Sequence, residues 1–288
     1  MKITLGPVLY YWPAETLHRF YEEAATWPVD VVYLGETVCS KRRSFRFEDW
    51  MAVARRLADA GKEVVLSTLA LLEAESELKT LRRICGNGEF LVEANDMAAV
   101  QLLSSAGQPF VAGPTANLYN PRALEVLARR GLKRWVPPVE LDRETIAAVV
   151  AEQPEGVETE LFAWGRMPLA FSARCYTARA YDLPKDDCQY RCLDHPDGFT
   201  LRTQEGEAFL AVNGIQTQSA LTCNLLPEVE AARGIGVGLL RVSPQAHHTG
   251  RIVEAFRRAL EGDGAADLEK LMPVGGCSGY WRGKAGMA

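Results

Sequence analysis

Three cysteines, Cys175, Cys188 and Cys192, fall within eighteen residues of each other in the stretch from Glu160 to Cys192. Arg174, Arg179 and Arg191 and the run Lys185-Asp186-Asp187 lie among them. A core strand would be aliphatic and would not set three thiols beside charges, so the stretch reads as a cofactor-binding loop on a larger scaffold. Thiolates are soft donors, and four of them suit zinc or an iron–sulfur cluster. Structural zinc uses paired ligands two to four residues apart. In the C-x12-C-x3-C arrangement here only Cys188 and Cys192 meet that spacing, so an iron–sulfur centre fits better. The arginines would offset the negative charge of four thiolates. The competing reading is three small buried hydrophobes, since free cysteine is often buried.

A fourth ligand has to come from elsewhere, and Cys39 is the candidate. It lies in the polar loop from Glu36 to Phe45, just past the apolar run Val29–Gly35. Cys85, Cys223 and Cys277 each stand alone and read as packing residues. Carboxylates and amides after other apolar runs, Glu36, Glu93, Glu140, Asn95 and Asn117, are secondary candidates for acid–base work or substrate binding. Loop hydrogen bonding and helix capping explain them equally well. His247-His248 could be a ligand or a base, or simply begin a helix. No GxSxG, HExxH or phosphate-binding loop is present.

The elements that must position these residues alternate. Strands are expected at Ile3–Leu9, Val29–Gly35, Glu63–Thr68, Phe90–Ala94, Phe110–Gly113, Lys133–Val136, Val157–Trp164 and Val237–Val242. Amphipathic helices are expected over 13–26, 47–60, 71–84, 96–105, 121–130, 142–152 and 250–261, with Asn120-Pro121 as a start and Gly61 and Gly131 as stops. This repeat predicts an α/β fold, a (β/α)8 TIM-barrel-like domain spanning 1–288. A doubly wound sheet is the alternative, weakened because no GxGxxG follows the first strand. The rhythm breaks over 166–227, read as an insertion after the seventh strand that carries three of the cysteines. A hairpin of Gly198–Thr203 and Ala208–Val212 around Glu205-Gly206 is expected within it. The glycine-rich tail from Gly275 reads as an arm on the body. In a barrel, Cys39 and the three downstream cysteines open onto the same carboxyl-terminal face, where active sites are built.

Composition bounds the rest. With 288 residues, 48% hydrophobic, the chain is ample for a core without disulfides. Seven cysteines, an odd number, do not describe a disulfide framework. A net charge of −5 argues against a nucleic-acid partner. No leader and no membrane-spanning run are visible, so a cytoplasmic location is expected.

The residues also carry a resemblance. Glu160-Leu-Phe-x-x-Gly165, an apolar stretch, and Ser172-Ala-Arg-Cys175 resemble the E-x-F-x-x-G…S-x-x-C signature of the collagenase-like peptidase family. KITLGPVLYYWP, VYLGETVCSKRR, SARCYTAR, KDDCQYRC and GYWRGKAGM are similar to the branch of that family that acts in oxygen-independent ubiquinone biosynthesis. That resemblance implies a [4Fe-4S] cluster on Cys39, Cys175, Cys188 and Cys192. It implies a heterodimer with a UbiU-like protein bearing its own cluster, and hydroxylation of ubiquinone precursors without molecular oxygen. Other members hydroxylate RNA bases, which makes an RNA-base hydroxylase the alternative; a zinc-stabilised collagenase-like peptidase or binding protein is the remaining one. Pro168 stands where the wider family carries a cysteine, which weighs against a peptidase.

Overall fold

The structure is a computed structural model that describes residues 1–263 and 266–284. Its first half repeats one strand and one helix: β1 (Lys2–Leu5), α1 (Ala14–Ala24), β2 (Val31–Leu34), α2 (Phe47–Asp59), β3 (Glu63–Ser67), α3 (Glu75–Cys85), β4 (Leu91–Ala94), α4 (Met97–Ser105), β5 (Phe110–Ala112), α5 (Pro121–Ala128), β6 (Leu132–Trp135), α6 (Arg143–Ala151) and β7 (Glu158–Phe171). Then follow α7 (Tyr176–Ala180), β8 (Phe199–Arg202), β9 (Ala208–Asn213), β10 (Gln216–Asn224), α8 (Val229–Gly234), β11 (Leu239–Val242), α9 (Thr249–Glu261) and β12 (Gly276–Cys277). Strands β1 to β7 pair in parallel in sequence order, and β11 pairs in parallel with both β7 and β1. The eight close a (β/α)8 barrel.

Side-chain alternation along these strands builds two layers. Val32 and Leu34 of β2, Val64 and Leu66 of β3 and Leu240 and Val242 of β11 face the helices and join the main core. Val31, Tyr33, Val65, Val111 and Leu239 face inward and pack with Val136 as a small second cluster. Each fully buried aliphatic side chain contributes about 1.5–3 kcal/mol. Helices α4, α5 and α6 begin where a side chain satisfies a free amide group. Asp96 accepts from Ala98 N (2.7 Å), Asn120 from Ala123 N (2.9 Å) and Asp142 from Thr145 N (2.7 Å).

Two strands depart from the sequence reading. β7 runs on to Phe171, seven residues past the expected end at Trp164, so the insertion starts as strand and not as loop. β10 was not foreseen. It pairs antiparallel with β7 (Phe171↔Gln216, Arg166↔Thr222) and with β9, while β8 and β9 form the expected hairpin. Both segments hide from pattern reading. β7 carries Pro168 at an irregular point of the ladder, and β10 buries Gln216, Gln218, Ser219 and Thr222 in place of aliphatic residues. The first strand stops at Leu5 and leaves Gly6–Tyr11 to line the carboxyl-terminal face, and the third helix starts at Glu75. The tail pairs through β12 with β10; its last residues, 285–288, lie outside the described residues.

Gly35, after β2, has φ +134°, and a Cβ there would lie 2.5 Å from the Ser67 carbonyl oxygen of β3. Gly35→Ala is expected to cost about 2–4 kcal/mol from backbone strain plus this overlap. A lowered urea midpoint with an unchanged m-value would report it.

Candidate functional site

The loops after β2 and β7 meet on the carboxyl-terminal face of the barrel. Glu36 fixes the first of them, accepting from Val38 N (2.9 Å) and Cys39 N (3.0 Å). Cys175 caps α7, with its Sγ accepting from Ala178 N at 3.4 Å. Cys188 and Cys192 flank Gln189 and Tyr190, both in the left-handed region at φ 49° and 53°. Two consecutive non-glycine residues in that region cost about 1–2 kcal/mol each and mark a segment whose shape is imposed.

All four cysteines are half-buried. The charge of Cys175 acts on the thiols of both Cys39 and Cys192, and Cys188 acts on Cys192, so the four occupy one neighbourhood. Burial pushes the Cys39 and Cys192 thiols up, with Arg42 as the largest opposing influence on each. Arg42 is buried and ties the site together. Its Nη1 donates to the Leu9 carbonyl (2.7 Å), its Nη2 to Asn213 Oδ1 (2.6 Å), and it lies 3.7 Å from Glu36. Lys41 reaches from the Cys39 loop to the Lys185 carbonyl (2.8 Å) and Asp186 (2.7 Å). Lys185 in turn donates to the Ala173 carbonyl (2.7 Å) and to Glu73.

As they stand, the sulfurs are gathered and not closed into a shell: among the described residues no group of three or more His, Cys, Asp or Glu side chains is arranged to hold a metal ion. The donor set nonetheless fits a soft, anionic centre. It offers four thiols, with Arg42 and Lys41 as the adjacent cations that four thiolates require.

Beneath the mouth lies a charged centre that pattern reading missed. Glu160, fully buried, accepts from Thr4 Oγ1 (2.6 Å), Tyr33 Oη (2.5 Å) and Arg241 Nε (2.6 Å). Arg241 Nη1 donates to Glu93 (2.7 Å), and Arg134 donates to Tyr33 Oη (3.1 Å) and to Glu63 and Glu158. Burial pushes the Tyr33 hydroxyl well up, with Glu160 adding to it. Burial pushes Glu160 up too, but Arg241 and Arg134 outweigh it and hold the carboxyl below its ordinary range. The available signal was a charge inside each of VETELF, LKRW and VGLLRV, where a parallel barrel strand would otherwise be apolar throughout.

The other candidates separate. Glu93 and Asn95 sit at the barrel mouth, with Asn95 Nδ2 donating to the Thr68 carbonyl (3.0 Å) and to Glu93 (3.2 Å). Glu140 accepts from Tyr119 at the surface, and Asn117 takes a left-handed turn at φ 56°. His248 precedes α9 at φ 67°, and Cys223 and Cys277 are buried opposite each other in β10 and β12. No helix among the described residues is long and apolar enough to cross a membrane.

The chain is similar to solved structures at low identity. The U32 peptidase Mk0906 is 12% identical with a TM-score of 0.48, covering 85% of this chain and 93% of that one. A dihydropteroate synthase from Xanthomonas albilineans is 11% identical with a TM-score of 0.43, covering 92% and 94%. The sequence profile described as Peptidase family U32 matches residues 15–270, nearly the whole chain. The chain belongs to peptidase family U32, a family associated with enzymes.

Proposed function

We propose that the chain binds a [4Fe-4S] cluster on Cys39, Cys175, Cys188 and Cys192. In this reading it is the UbiV-type iron–sulfur subunit of an oxygen-independent hydroxylase that acts on ubiquinone precursors together with a UbiU-like partner. What supports the reading is that four thiols on two distant loops lie near enough for their charges to act on one another, beside Arg42 and Lys41. When bound, such a cluster supplies one-electron transfer. The chain's own residues hold it: Glu36 fixes the backbone at Cys39, the α7 cap fixes Cys175, and Arg42 and Lys41 offset thiolate charge. The sequence motifs shared with the ubiquinone-pathway branch support the substrate and partner.

Anaerobic purification should give brown protein with about four iron and four sulfide per chain. Co-purification with the UbiU-like protein, and hydroxylation of a ubiquinone precursor by the pair under nitrogen, should follow. Stoichiometric zinc, or iron and sulfide absent after anaerobic reconstitution, would refute the cluster. A loaded pair that leaves the precursor unchanged when given a reductant and an oxygen donor would refute the hydroxylase.

A further inference from the structure

Strands β10 and β12 run in parallel, with Thr222 opposite Gly276 and Cys223 opposite Cys277. Neighbouring strands lie about 4.8 Å apart, and register partners carry their side chains on the same face of the sheet. A disulfide spans Cα atoms roughly 4.4–6.8 Å apart. The two cysteines therefore stand where a disulfide can join them without moving the backbone. Both are buried in the main core, and the charge of Cys277 acts on the Cys223 thiol. A Cβ at Gly279 would lie 3.3 Å from Cys223 Sγ, so the turn after β12 closes over that sulfur. In the sequence these cysteines are 54 positions apart and each stands alone; the fold makes them a pair.

The tail they anchor is a strap. Thr222 N donates to the Gly275 carbonyl (2.9 Å), and Arg143 N donates to the Trp281 carbonyl (3.0 Å). The Trp281 ring is buried, and its Nε1 donates to Glu228 (3.1 Å). Phe162 lines both the space under this strap and the barrel mouth. Yet β12 is only two residues long, and so short a ladder belongs to the parts of a fold that open locally.

We propose that Cys223 and Cys277 form a reversible disulfide that latches the carboxyl-terminal strap to β10. The oxidant is a small-molecule disulfide of the glutathione type. Cys277 loses its proton, its sulfur attacks one sulfur of the reagent, and the reagent's other half leaves as a thiol. Cys223 then loses its proton and attacks Cys277 Sγ, releasing the second half as a thiol. Two electrons pass from the two cysteines to the reagent, and the two protons leave on the released thiols. Burial pushes both thiols up and away from the reactive thiolate, so the first step goes through opening of β12. The four cysteines of the candidate site take no part.

The test uses the full chain, purified anaerobically, freed of reductant and incubated with excess oxidised glutathione. It is then alkylated under denaturing conditions and digested with trypsin without reduction. Cys223 is the only cysteine in 203–233, and Cys277 is the only one in 271–282. These two peptides should be recovered mainly as a joined pair that dithiothreitol separates. In hydrogen exchange, the amides of 276–283 should exchange at least about tenfold more slowly in the oxidised chain than in the reduced one. Cys277→Ala should show no such difference. Recovery of both cysteines as separate alkylated peptides, or joined to other cysteines, would overturn the disulfide. A joined pair with unchanged exchange in the strap, or slowing that persists in Cys277→Ala, would overturn the latch.

Discussion

Glu160→Gln should destabilise the fold by about 3–5 kcal/mol, the range for removing one partner of a buried ion pair. The side chain is 0% exposed and sits between Arg241 and Arg134, whose guanidinium groups are almost as deeply buried. Gln preserves the volume, so a cavity does not contribute. What is lost is the charge that balances two cations in the middle of the barrel, and an amide donor is placed where Thr4, Tyr33 and Arg241 all donate. The pH dependence separates this cause from general misfolding. Arg241 and Arg134 hold the folded Glu160 carboxyl below the ordinary 4.5, against the opposing effect of burial. A carboxyl lowered on folding contributes stability that is complete above the unfolded value and is lost as pH falls through the folded one. Urea midpoints measured from pH 7 downward should therefore fall below about pH 4.5 in the wild type, with the gap to Glu160→Gln narrowing over that window. A constant gap across the titration would show that the carboxylate charge is not what Glu160 contributes.

The same centre shows why the barrel was legible and its interior was not. Strand and helix positions follow from hydrophobic period, and the outward faces of β2, β3 and β11 obey it because they pack on helices. The inward face answers to a different constraint. A barrel interior tolerates charged and hydroxyl groups that satisfy one another across strands far apart in the chain, such as Thr4, Tyr33, Glu160 and Arg241, and no local pattern links them. The extension of β7 and the whole of β10 were hidden because β10 buries the polar residues Gln216, Gln218 and Thr222 where a strand pattern would show aliphatic ones. Arg42 was similarly invisible, being one base in the run Lys41-Arg42-Arg43 until folding buries it between Leu9, Glu36 and Asn213. The placement of the cysteines at the mouth was readable because it depends only on strand ends. Loops after parallel strands share one face, whatever the interior holds.

Cysteine substitutions should split into two classes. Serine at Cys39, Cys188 or Cys192 should each abolish retained iron and sulfide in anaerobically purified protein, a drop from about four irons to near zero per chain, because an alkoxide is a poor replacement for a soft thiolate donor. Alanine at Cys85, Cys223 or Cys277 should leave the iron content unchanged. Loss of metal alone would not separate ligation from collapse of the loop, and Cys175 resolves that. Its sulfur also caps α7, accepting from Ala178 N at 3.4 Å. Serine is among the preferred residues at that capping position. Cys175→Ser should therefore keep or slightly stabilise α7 while losing the cluster, so iron falls to near zero with the apo-protein urea midpoint unchanged. If Cys175→Ser kept its iron, the sulfur would be a helix cap and nothing more. If it lost iron and unfolded together, the thiol would be holding the loop and not the metal. Only loss of iron in a chain of undiminished stability assigns Cys175 to the cluster.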